Sequence, residues 1–121
     1  MIMKVKYHLK ENINGKINRK GKEYYNDGQI KFEGEYLNWE RWNGKIKIYY
    51  NNGKLKFEGE TINGQRWTGR GKEYYYDGNL SFEGDYINGK RNGKGKEYNN
   101  DSKLIYEGGY LNGNKWKGKR I

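Results

Sequence analysis

The chain contains no cysteine and no proline. Without cysteine there is no disulfide framework, no thiolate zinc site and no thiol nucleophile. A reducing compartment fits, so the cytoplasm is the expected location. Without proline, strands can run uninterrupted. Histidine is reduced to His8. A histidine-based triad would have to be built on it, yet nothing near it resembles a nucleophile turn; it reads as a solvated bystander. Apolar residues are scarce, at 32% against 33% charged in 121 residues. No run approaches the roughly 20 apolar residues that span a bilayer. The first ten residues lack the continuous apolar stretch of a secretory signal.

What is present is aromatic, glycine-rich and basic. Thirteen Tyr, four Trp and three Phe supply the buried area that aliphatics do not. They argue against the disorder that low apolar content alone would imply. Nineteen glycines fit a chain of many tight turns. The net charge of +10 favours acidic partners, whether anionic lipid, nucleic acid or an acidic protein face.

One phrase recurs four times. Residues 21–36 read GKEYYNDGQIKFEGEY, 46–61 read IKIYYNNGKLKFEGET, 71–86 read GKEYYYDGNLSFEGDY and 95–110 read GKEYNNDSKLIYEGGY. Phe32, Phe57, Phe82 and Tyr106 are 25, 25 and 24 residues apart. A fixed period in this range marks a repeat architecture. Such arrays present surfaces, which bind more often than they catalyse.

Within the unit, Asp27-Gly28 predicts a hairpin with a two-residue type I′ turn, repeated at Asn52-Gly53 and Asp77-Gly78. Asp101-Ser102 breaks the rule, and serine tolerates positive φ poorly. A two-residue turn places Tyr25 opposite Ile30, Tyr24 opposite Lys31 and Lys22 opposite Glu33. The same arithmetic pairs Lys47 with Glu58, Lys72 with Glu83 and Lys96 with Glu107. Each such pair contributes roughly 0.2–1 kcal/mol.

Alternation then defines two faces. The core face collects Tyr25, Ile30, Phe32 and Tyr36, then Tyr50, Leu55 and Phe57, and their later counterparts. The outer face carries Tyr24, Tyr49, Tyr74 and Tyr98 in one row, among Lys22, Lys31, Glu33, Glu35 and their equivalents. A longer second connection follows each hairpin, as in INGQRWTGRG at 62–71. Trp42, Trp67 and Trp116 are expected to fold over the end of the core. Trp39 stands where a glycine is due, so the 37–44 loop should differ in shape.

The expected fold is all-β, an elongated single-sheet array of antiparallel hairpins forming a twisted, grooved rod. Residues 1–20 read as a degenerate half-repeat or cap. Residues 21–121 hold four to five repeats, about 21–43, 44–68, 69–92 and 93–117 with a partial end.

The run Phe82-Glu83-Gly84-Asp85-Tyr86, Asn88-Gly89-Lys90-Arg91-Asn92-Gly93-Lys94-Gly95, then Tyr98 resembles the MORN repeat. The likeness covers nearly the whole chain from about residue 14. The GKEYY-x-DG wording is closer to a MORN-like variant found in bacterial and protist proteins, some described as antitoxins. Thr61, Trp39 and Arg19 depart from the pattern. The resemblance implies a hairpin array that binds proteins, dimerises or meets phosphoinositide membranes. It carries no catalytic residue. A neutraliser of a partner protein is a further implied reading.

The residues themselves offer no enzyme site and call for no cofactor or metal. Glu33 and Glu35 share a face, but they recur with opposing lysines and read as a charge-paired surface. No loop has calcium-ligand spacing, and Gly93–Lys96 lacks the full spacing of a phosphate loop. Two candidate surfaces remain. The tyrosine row at 24, 49, 74 and 98 suits a protein or peptide partner, or a second copy. A basic edge of Arg41, Lys45, Arg66, Arg70, Lys90, Arg91, Lys94, Lys115 and Lys117, with Trp42, Trp67 and Trp116, suits an anionic membrane surface at about 1 kcal/mol per basic residue. Such an edge also simply keeps an array soluble. Single-stranded nucleic acid is set aside, because no nucleic-acid motif accompanies the aromatics.

Overall fold

A computed structural model describes residues 4–9 and 18–120. Residues 10–17 of the degenerate half-repeat lie outside the described residues. Ten strands follow one another: β1 (Lys4–Leu9), β2 (Asn18–Tyr24), β3 (Ile30–Leu37), β4 (Glu40–Tyr49), β5 (Leu55–Ile62), β6 (Gln65–Tyr74), β7 (Leu80–Ile87), β8 (Lys90–Tyr98), β9 (Leu104–Leu111) and β10 (Asn114–Arg120). They form one antiparallel meander in chain order. Strand spacings of about 4.8 Å make the sheet roughly 43 Å across.

The two kinds of turn exchange the roles the sequence suggested. At 26–28 the Gly28 N–H donates to the Tyr25 carbonyl at 3.0 Å, and the Tyr25 N–H donates to the Gln29 carbonyl at 2.8 Å. Gly28 has φ 90°, while Asn26 and Asp27 keep negative φ. This is a three-residue loop closed by a left-handed glycine, not a type I′ turn. The two-residue turns with both φ positive stand at Asn63-Gly64, Asn88-Gly89 and Asn112-Gly113. The supposed long connection is therefore a tight turn running straight into a strand. Asn38-Trp39 keeps that form, with Trp39 at φ 71°. The 37–44 segment differs by strain rather than by shape, and the Arg19 guanidinium lies 4.5 Å from the Trp39 ring.

The extra loop residue is absorbed by a bulge. Tyr24 pairs with Ile30 and Glu23 with Phe32, leaving Lys31 without an opposite number. Lys31 sits 5.6 Å over the Tyr25 ring instead of among the outer tyrosines. Beyond the bulge the expected register returns, with Lys22 opposite Glu33. The lysine–glutamate distances are 3.4 Å at 22–33, 3.8 Å at 47–58 and 3.7 Å at 96–107. The row also crosses between hairpins, where Glu33 faces Lys45, Glu58 faces Lys72 and Glu83 faces Lys96. Each of these glutamates thus lies between two lysines.

The core is a line of rings. Phe32 and Phe82 are fully buried, and Tyr36, Tyr86, Tyr106 and Tyr110 nearly so. Tyr86 meets Phe57 edge-on at 5.4 Å and Phe82 at 5.8 Å; Tyr110 meets Phe82 at 5.2 Å. Glycine makes room below them: a Cβ on Gly71 would stand 2.5 Å from the Tyr86 ring. The line breaks in the second repeat, where Thr61 replaces the tyrosine and Ile46 replaces the glycine beneath it. Small-for-large on one strand is offset by large-for-small on the next. Trp67 packs against both halves of the divided core and lies 4.8 Å from Phe57.

Side chains bind each hairpin to the next. The hydroxyls of Tyr25, Tyr50 and Tyr75 donate to the carbonyls of Lys47, Tyr74 and Tyr98 at 3.0, 2.6 and 2.6 Å. At the other edge the Gly64, Gly89 and Gly113 N–H groups donate to the carbonyls of Trp42, Trp67 and Arg91.

The fourth turn keeps both hydrogen bonds, at 2.9 Å each. Ser102 is therefore forced to φ 63°. A left-handed non-glycine residue costs roughly 1–2 kcal/mol, partly offset by the unfolded-state entropy that glycine adds. Ser102→Gly should raise stability by about 0.5–1 kcal/mol, seen as a higher midpoint in thermal unfolding. A lower midpoint would refute the strain.

Candidate functional site

The outer face carries three parallel rows, each supplied once per hairpin. Near the 26–28 type of turn stand Tyr24, Tyr49, Tyr74 and Tyr98, all half-buried. The Tyr98 hydroxyl donates to Glu83 at 2.9 Å. Burial pushes the hydroxyls of Tyr49, Tyr74 and Tyr98 up. Neighbouring acidic groups add to it, Glu58 beside Tyr49 and Tyr74, and Glu83 beside Tyr98. The lysine–glutamate ladder forms the middle row.

The third row was not foreseen. Leu37, Ile62, Ile87 and Leu111 run along the opposite edge, and the last three are exposed. The signal was present in the sequence: FEGEYL, FEGETI, FEGDYI and YEGGYL each end on an aliphatic residue one place past the core position. By alternation that residue must face outward.

Between the rows the floor is glycine. A depression of about 210 Å³ lies over Gly59 and Gly71, walled by Lys45, Glu58, Glu60, Arg70, Lys72 and Glu83. A second, of about 700 Å³, lies over Gly95, Gly108 and Gly109 and shares Arg70 and Glu83 with the first. Trp116 and Lys117 stand at its wall. Glycine in a strand permits close backbone approach, so an extended chain could lie deep here.

The candidate basic edge divides into engaged and free members. Arg41 turns inward and holds Glu23 with two hydrogen bonds at 2.7 and 2.6 Å. Tyr36 donates to the same carboxylate at 2.5 Å. Arg91 repeats this with Glu73 at 2.9 and 3.0 Å, joined by the Tyr86 hydroxyl. Lys115 meets Glu97 at 3.0 Å and Arg70 meets Asp85 at 2.8 Å. Lys45 faces both Glu33 and Glu60 in register. Arg66, Lys90, Lys94 and Lys117 remain exposed. Of the tryptophans, Trp67 closes the core as expected and Trp42 packs half-buried toward Gly64. Trp116 does not cover the core: it is 52% exposed.

The core-face glutamates were missed because a charged residue on that face has no role until its partners are known. Glu23, Tyr36 and Arg41 come from three consecutive strands. Their recurrence as Glu73, Tyr86 and Arg91 at a constant offset was the available signal.

Among the described residues, no group of three acidic or histidine side chains is placed to hold a metal ion. Among the same residues, no helix is long and apolar enough to cross a membrane.

A single sheet of stacked hairpins with a patterned, uncovered face defines the chain as a repeat protein of the surface-presenting class. It belongs to the MORN repeat family: the family model described as a MORN repeat variant matches residues 20–38, 42–63 and 67–88, more than half of the chain. No curated protein and no solved structure matches it. The family is a non-enzymatic repeat module, and its repeats are generally scaffolds for protein or membrane interaction.

The buried Glu23 triad makes stability depend on acid. Burial alone would raise the Glu23 carboxyl, but Arg41 and Tyr36 override it and hold the group below its ordinary value of 4.5. A depressed folded value stabilises above the unfolded value and is lost as pH falls through the folded one. Thermal unfolding should therefore show stability dropping below pH 4.5. Glu23→Gln should flatten that slope and cost about 2 kcal/mol at neutral pH, somewhat less than the 3–5 of fully buried pairs. An unchanged slope would remove Glu23 from the account.

Proposed function

We propose that this protein is a non-enzymatic scaffold that binds a protein or peptide partner across its outer face. The observation that carries this reading is the three-row face itself. Half-buried tyrosines and exposed aliphatics flank a charge ladder, and no second layer covers them among the described residues. Tyrosine gives contact area at low entropic cost, and the aliphatic row provides apolar anchors at the same spacing. The ladder offers alternating charge to fix the register of an extended or helical segment, or of a second copy.

The test is selection of binding peptides from a displayed library on the intact chain. Tyr49→Ser combined with Tyr74→Ser should weaken the selected peptides at least tenfold while circular dichroism shows a folded sheet. Lys90→Ser should leave them unchanged. Retained binding in the tyrosine variant would overturn the reading.

A second reading is favoured by the exposed Ile87, Leu111 and Trp116 along the edge that carries Lys90 and Lys117. Apolar tips among cations suit a peripheral site on an anionic bilayer. Flotation should then retain the protein on vesicles containing phosphatidylserine at low salt and release it at high salt. No flotation at low salt would sink this reading.

A further inference from the structure

The second repeat departs from its neighbours at linked positions on the core face. Gly21, Glu23 and Tyr36 of the first repeat, and Gly71, Glu73 and Tyr86 of the third, become Ile46, Ile48 and Thr61. The arginine of the set is kept as Arg66. Its counterparts Arg41 and Arg91 are each held by the carboxylate of their own repeat. For Arg66 that carboxylate is an isoleucine. The side chain is exposed, its guanidinium carbon 5.9 Å from the Trp67 ring centre, with no ion-pair partner among the described residues.

Ile48 of this set also lines a cavity of about 440 Å³. Ile48, Phe57, Trp67 and Tyr86 line it, and Lys56 stands at its wall. Glu73, which also lines it, is already engaged by Arg91 and Tyr86. The unspent charge here is therefore cationic, on Arg66 and Lys56. A largely apolar hollow and an unpaired guanidinium thus share one neighbour, the Trp67 indole.

We propose that the core face of the second repeat binds an extended acidic segment of a partner protein. The segment sets an apolar side chain into the Ile48–Phe57–Trp67 cavity and a carboxylate on Arg66. It thereby supplies from outside the acid that Ile48 removed. The spacing selects a peptide. The two groups must both reach the surroundings of the Trp67 ring, and side chains two residues apart on an extended chain share a face about 6.8 Å apart. The net charge of +10 draws such a segment in. Ile48, Phe57 and Trp67 belong to the core face, not to the outer tyrosine row; Tyr74 of that row borders the cavity, whereas Tyr98 does not, so a Tyr98 variant tells the two sites apart.

The test uses the intact ¹⁵N-labelled chain and an acetylated pentapeptide amide, Gly-Phe-Ser-Glu-Gly. The Trp67 indole N–H resonance should shift saturably. Replacing the peptide's Phe by Ala, or its Glu by Lys, should weaken binding at least tenfold. Arg66→Ala, at an exposed position, should do the same with the rest of the spectrum unmoved. Tyr98→Ser, on the other face, should change nothing. An unmoved Trp67 indole at millimolar peptide would overturn the proposal, as would equal affinity for the Glu and Lys peptides. Tighter binding of free 3-phenylpropanoate than of the peptide would overturn the peptide as occupant.

Discussion

A single sheet has no second layer against which to bury a face, so everything here depends on rings set edge-on over glycine. Tyr86 leans between Phe57 and Phe82, and Tyr110 leans on Phe82. Each tyrosine reaches back across a strand whose glycine leaves the space, as Gly71 does for Tyr86. Edge-to-face contact suits the aromatic quadrupole and adds roughly 0.5–1.5 kcal/mol per pair beyond area. The rings thus act as the missing layer. The tyrosine hydroxyl then needs an acceptor inside that layer. This explains a glutamate on the core face, and the glutamate in turn explains an inward arginine.

That chain of requirements makes the second repeat intelligible as one change rather than three. Remove the carboxylate at 48 and a tyrosine at 61 would bury an unpaired hydroxyl. Replace that tyrosine by threonine and the space over position 46 opens, which Ile46 fills. Trp67 then rejoins the two halves of the core, at the cost of a left-handed backbone at φ 53°. The repair is incomplete: the Thr61 hydroxyl and the Trp67 indole N–H are buried without partners. A native core tolerates few such groups, so this repeat is where the array is least like a pure stacking unit.

The period, the hairpins, the charge pairs and most of the ring core were legible in the sequence, because each depends only on alternation and a fixed offset. The turn types were not. Asp-Gly and Asn-Gly both permit positive φ, and the choice between a two-residue and a three-residue loop rests on the bulge at Lys31 that absorbs the difference. The two errors cancel beyond the bulge, which is why Lys22–Glu33 came out right while Tyr24–Lys31 did not. The direction of Arg41 and Arg91 was hidden for another reason. In sequence they sit among surface lysines, and only a pairing across three strands brings them to Glu23 and Glu73.

The outer face follows from the same alternation but under a different constraint. Nothing inside the protein needs it to be apolar, yet every repeat places a tyrosine at one edge of it and an aliphatic residue at the other. Solubility alone would be served by the lysine–glutamate ladder between them, whose ion pairs are exposed or half-buried and individually weak. The two flanking rows expose apolar area that the fold does not use. They are spaced by the hairpin advance of about 10 Å, so a partner that matches one repeat matches its neighbours too. Contacts of modest strength then add along the sheet. A surface of this kind draws its selectivity from that regular spacing, whereas the core face behind it loses its regularity at the repeat that carries Thr61 and Arg66.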